Sequence, residues 1–181
     1  MKLQLAEDDR PPETLSLQEY LSCVWRPDCD FVDGRSEDRN IGEYDHSCMV
    51  MGLIKQLSVG NEPWRILALP SLRMRVAPTR VRVADLCVIE PVSPHEQVLT
   101  HPPLAVFEVL SQDDRFSVFM EKLRDYQRFG VANVWVIDPE QRMALRYEAA
   151  DFRPVSSTEL TVPETPVRVV LSELFAGLDR K

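Results

Sequence analysis

Apolar positions along this chain recur with two periods, and the switches between them mark out the elements. Over residues 40–58, Val50, Leu53, Ile54 and Leu57 return at helical spacing and define one buried stripe, which extended backwards reaches His46 and Glu43. A second helical pattern spans about 114–129, where Phe119, Leu123, Tyr126 and Phe129 form the apolar side and Gly130 supplies the stop. Residues 15–24 read as a short opening helix, capped by Thr14 or Ser16 and ended by Arg26-Pro27. Residues 171–175 read as a small terminal helix.

Between the helices the period falls to two. Residues 29–32 followed by Asp33-Gly34 fit a hairpin, because Asp-Gly tolerates the positive φ angles of a type I′ turn. Residues 66–69, 72–76 and 81–90 are strand-like, punctuated by Pro70 and Pro78. Residues 104–110 are almost continuously apolar, as in a strand covered on both faces. Residues 133–137, closed by Asp138-Pro139, make another buried strand, with 143–147 as its neighbour. The strand, helix and strand between 104 and 137 form a crossover. This order predicts an α/β fold with a mixed central β-sheet flanked by helices, in one domain over 1–181.

Composition narrows the picture. Hydrophobic content of 44% and charged content of 28% exclude a disordered or fibrous chain. No apolar run reaches the roughly 18 to 20 residues that span a bilayer, and the acidic residues 1–10 lack a signal-peptide core, so a cytoplasmic protein without a membrane partner is expected. Cys23, Cys29, Cys48 and Cys87 have irregular spacings, which suit reduced packing residues better than a zinc cage or a disulfide framework. The net charge of −8 is awkward for phosphate binding, which favours a basic face. Arg65, Arg73, Arg75, Arg80 and Arg82, with no acid among them, could supply a local basic strip or could be solvated strand positions.

Two carboxylates break the apolar pattern. Alternation places Asp85 in line with Val81, Val83, Cys87 and Ile89, and Glu108 in line with Leu104, Val106 and Leu110. Each ion held out of water costs several kcal/mol, and two carboxylates about 5 Å apart repel by about 3 kcal/mol at an effective dielectric near 20. Such a pair needs a cation. A hard divalent ion such as Mg²⁺ answers both charges and keeps waters for chemistry; strand-end positions, each acid paired with an arginine, are the other solution. Lys122 shares the sector of Phe119 and Tyr126, so it could stabilise charge on a phosphate or simply extend its amine to solvent. Glu43 could return to the Asn40 backbone in a capping box or act as a ligand, and His46, one turn on, could assist the site or be a partly buried helix histidine.

Several segments together resemble the bacterial Uma-two family of restriction-endonuclease-like proteins, within the PD-(D/E)XK fold group. They are Phe31-Val32-Asp33-Gly34, Gly42-Glu43 with His46, Arg82-Val83-Ala84-Asp85, the Phe-Glu-Val-Leu-Ser run ending at Ser111, Lys122 with Tyr126, Phe129-Gly130-Val131, Val134 to Pro139, and Leu174-Phe175. The resemblance implies a restriction-endonuclease-like core in which Asp85 and Glu108 bind Mg²⁺, or Mn²⁺ in its place, and Lys122 completes the catalytic set. Glu43, His46 and Tyr126 would support it. Ala84 replaces the proline before the first acid, and Leu110 stands where a lysine two residues after Glu108 would be, so the helix-borne Lys122 has to serve.

The expected function is metal-dependent hydrolysis of nucleic-acid phosphodiesters, DNA before RNA, with a homodimer for duplex cutting. The alternatives are a non-catalytic nucleic-acid-binding or regulatory protein on the same fold, and an interaction module using apolar surface near the C-terminus. Side chains of Asp85 and Glu108 that diverge, or that are each neutralised by an arginine with no room for an ion, would count against the nuclease reading.

Overall fold

Asp33 and Gly34, with φ of 49° and 89°, turn β1 (Cys29–Val32) back onto β2 (Arg35–Asp38) as the Asp-Gly pair predicts. The computed structural model describes residues 11–39, 43–58, 66–91, 95–112, 114–165 and 167–179. Helix α1 (Leu17–Ser22) precedes the hairpin and starts at a capping box in which Ser16 and Glu19 satisfy each other's backbone donors.

The pattern over 81–90 predicts one strand, but the chain breaks at Ala84-Asp85. β5 (Arg80–Val83) joins β1, β2 and β4 (Arg73–Ala77) in an antiparallel sheet of order β2-β1-β5-β4. β6 (Leu86–Ile89) instead lies between β3 (Leu67–Pro70) and β7 (Ala105–Val109) in a second sheet. The reason lies in the hydrogen bonds of Asp85: its carbonyl accepts from Ser71 N and its carboxylate from Val109 N, both outside a regular ladder.

The second sheet has the order β10-β9-β8-β7-β6-β3, with β8 at Val134–Asp138, β9 at Met143–Glu148 and β10 at Asp151–Pro154. Only β7 and β8 run parallel, joined by the crossover through α3 (Phe116–Phe129), so the sheet is mixed as expected. Gly130, at φ 100°, ends α3 in the left-handed conformation. A short pair, β11 (Glu159–Thr161) with β12 (Arg168–Val170), leads into α4 (Leu171–Phe175).

Helices cover both faces of this sheet. On one, Met49, Leu53 and Leu57 of α2 (Tyr44–Ser58) pack with Val88, Phe107, Val109, Trp135 and Ile137, and Phe107 stacks on Trp135 at 5.0 Å. Leu174 and Phe175 are buried in the same cluster. On the other face Phe119, Leu123 and Tyr126 meet Cys87, Ile89, Val106, Val134 and Val136. Glu108 shares the parity of Val106, so it faces α3.

The cysteines are all free, though exposed Cys23 is not the packing residue expected of it. Among the described residues no helix is long and apolar enough to cross a membrane.

Candidate functional site

Asp85 sits at the hinge between the two large sheets, where α2, β7 and the end of β2 converge on it. Oδ1 accepts from Arg39 Nη2 at 2.8 Å, and Oδ2 from Val109 N at 2.9 Å, with His46 Nε2 at 3.1 Å. The carboxylate is 7% exposed. Burial opposes its charge, yet the His46 hydrogen bond and the charges of Lys122 and Arg39 hold its pKa well below the usual carboxylate range. His46 feels the converse: burial lowers its pKa, but the bond to Asp85 leaves it raised overall.

Glu108 lies on β7, the strand that pairs antiparallel with β6 immediately after Asp85. Its Oε1 accepts from Tyr126 Oη at 2.6 Å and its Oε2 from Lys122 Nζ at 2.8 Å. Lys122 and Tyr126 are four residues apart on α3 and both reach inward, which is the helical spacing that lets two side chains grip one acceptor. Burial raises the Glu108 carboxyl to about 7 against the pull of Lys122, and the charge of Asp85 pushes it the same way. Burial works against the Lys122 ammonium too, but Glu108, Asp30 and Asp85 leave its pKa raised.

Asp85, Glu108, His46, Lys122 and Arg39 line one cleft of about 560 Å³. Six carboxylates face it, from Asp30, Glu37, Asp38, Asp85, Glu108 and Asp114, against the basic side chains of Arg39, Arg115 and Lys122. Among the described residues no group of three or more His, Cys, Asp and Glu side chains is placed to hold a metal ion.

Glu43 is not among the residues that line the cleft. Its carboxylate accepts from Ser111 Oγ at 2.7 Å and lies 3.4 Å from Gln112 N, tying the start of α2 to the chain after β7. The capping box with Asn40 falls outside the described residues. The basic strip is corrected: Arg82 is fully buried against Asp30, Glu37 and Asp125, Arg80 pairs with Asp33, Glu121 and Asp125, and Arg73 pairs with Asp28 over the Tyr20 ring. These arginines are taken up by acids distant in sequence, and Arg65 lies outside the described residues.

Sequence reasoning missed Arg39. It stands in a polar run, Arg35 to Arg39, with no periodicity to single it out, and only the fold carries it 46 positions onto Asp85. Asp125 was missed also, because beside Tyr126 on an amphipathic helix it reads as a solvated position, whereas Arg82 draws it inward.

The mixed sheet, its parallel crossover and its flanking helices define a restriction-endonuclease-like α/β protein. The chain belongs to the Uma2 family, described as "Putative restriction endonuclease", which matches residues 17–180. No curated protein matches it. It is similar to a crystal structure from Anabaena variabilis described as "a putative nuclease belonging to DUF820", at 17% identity and TM-score 0.75, over 91% of this chain and 99% of that one. A cryo-EM structure of a DrdV–DNA complex shares 10% identity at TM-score 0.35 over 72% of this chain and 13% of its own, a likeness that carries no argument.

Proposed function

We propose that the protein is a metal-dependent endonuclease whose catalytic set is Asp85, Glu108 and Lys122. The observation that carries this reading is that two buried carboxylates, Asp85 just before β6 and Glu108 on the neighbouring β7, line one open cleft, with a lysine held on the second. The donors suit a hard cation: Mg²⁺ is commonly held by one or two carboxylates, with water and substrate oxygens filling the rest. Asp85 and Glu108 would hold Mg²⁺, or Mn²⁺ in its place, and such an ion supplies an activated water and relieves the charge on the phosphate.

The chain's own groups have separate tasks. Val109 N and His46 fix the orientation of Asp85, and Tyr126 fixes that of Glu108. The Lys122 ammonium is positioned to stabilise negative charge developing on phosphorus-bound oxygens. Duplex DNA is the proposed substrate, and a homodimer would present two clefts to the two strands.

The test is incubation of plasmid and single-stranded DNA with Mg²⁺ or Mn²⁺, comparing the parent with Asp85→Asn and Glu108→Gln. Each variant is expected to lose at least about 10²-fold in cleavage rate, the size of effect seen when a charge-stabilising group is removed. Equal cleavage by all three proteins would refute the assignment. A second reading, a nucleic-acid-binding protein without catalysis, draws on the pairing of Asp85 with Arg39 and of Glu108 with Lys122, which already neutralises both acids. Salt-dependent DNA binding with no cleavage would select it.

A further inference from the structure

Resting on the metal reading above, we infer that Arg39 exchanges partners: it occupies Asp85 while the cleft holds no divalent ion, and moves to a substrate phosphate when one binds. Of the two Asp85 oxygens, Oδ2 is committed to Val109 N and His46, two groups anchored in β7 and α2. Among the described residues, Oδ1 accepts from Arg39, at 2.8 Å. An ion ligated by Asp85 through Oδ1 therefore meets the Arg39 guanidinium directly.

Charge balance points the same way. Asp85 and Glu108 are matched by Arg39 and Lys122, so a dication added to these four buried groups leaves an excess of positive charge among them. Lys122 is held in place by Glu108 and packed within α3, whereas Arg39 lies just past the end of β2, on chain that belongs to no strand or helix. Its side chain is only 8% exposed and lines the cleft, so the nearest new anion available to it is one bound there. A guanidinium suits that role, since its fork matches two phosphate oxygens at once. Binding of ion and substrate is thereby coupled through one side chain, and the coupling is reciprocal.

The experiment measures Mn²⁺ affinity by calorimetry, with and without a short DNA duplex, and duplex affinity in Ca²⁺, for the parent, Arg39→Gln and Arg39→Lys. Without DNA, Arg39→Gln is expected to bind Mn²⁺ roughly tenfold more tightly, and with Ca²⁺ to bind the duplex roughly tenfold more weakly, the scale of a close charge pair gained or lost. Arg39→Lys keeps the charge and should stay near the parent for Mn²⁺ while losing part of the duplex affinity. The enhancement of Mn²⁺ binding by DNA should be largest in the parent, a comparison that Arg39→Lys carries if Arg39→Gln does not fold. Equal Mn²⁺ affinity in parent and Arg39→Gln overturns the exchange but leaves the metal site standing. Failure of all three proteins to bind Mn²⁺ removes the metal reading and the exchange with it.

Discussion

Two buried ionic clusters lie side by side in this protein, built from similar residues and arranged to different ends. In the first, Arg82 donates to Asp30, Glu37 and Asp125 from a position with no solvent exposure, and Arg80 adds Asp33 and Glu121. It joins β1, β2, β5 and α3 around the fully buried Arg82, with Asp30 and Glu37 also lining the cleft. In the second, Asp85 and Glu108 are held by Arg39, His46, Lys122 and Tyr126, and both acids line an open cleft together with Arg39, His46 and Lys122. The lesson is that burial of charge does not by itself distinguish a clamp from a candidate site; Arg82 is wholly out of solvent, whereas Arg39 and Lys122 line the cleft.

The contrast predicts opposite consequences for mutation. Arg82→Met should lower the unfolding free energy by about 3–5 kcal/mol in urea titration, because it leaves three carboxylates without their buried partner. Asp85→Asn should cost less than about 2 kcal/mol, since losing the repulsion with Glu108 offsets part of what Arg39 and His46 lose. If the two variants were equally destabilised, the distinction between clamp and site would fail.

Lys122→Met should cost about 1–3 kcal/mol by leaving buried Glu108 without a charged donor, and on the proposed nuclease function should slow DNA cleavage in the same preparation. Tyr126→Phe keeps the ring in the core and deletes one bond to Glu108, so about 1.5 kcal/mol is expected, with cleavage reduced less than by Lys122→Met. The reverse ranking in cleavage would mean that Tyr126, rather than the lysine, sets the state of Glu108.

The smallest effect belongs to the exposed rim of the Arg82 cluster. Asp33 is held below its usual pKa first by its bond from Arg80 and then by Thr79. A carboxylate depressed in the folded state adds stability above its unfolded pKa of about 3.9 and loses that contribution as pH falls through the lower folded value. Asp33→Asn should therefore lower stability at neutral pH by no more than about 1 kcal/mol, given its exposure, with the gap to the parent closing as the pH falls well below 4. A gap that persists in acid would show that the bond geometry, not the charge, matters there.

Much of this was readable before folding. An almost continuous apolar run located β7 and helical patterns located α2 and α3, with the crossover between, because burial of both faces of a strand or one face of a helix imposes those patterns on the residues themselves. The same patterns marked Asp85 and Glu108 as charges on apolar faces and placed Lys122 and Tyr126 inward. Alternation failed at Ala84-Asp85, since hydrogen bonds from Ser71 and Val109, distant in sequence, decide where that strand ends. The partners of the acids were invisible for the same reason: Arg39 lies 46 residues from Asp85 and Asp125 lies 43 from Arg82. Periodicity reports which side of an element meets apolar neighbours, a local property of the chain, whereas the pairing of charges depends on which elements the sheets bring together.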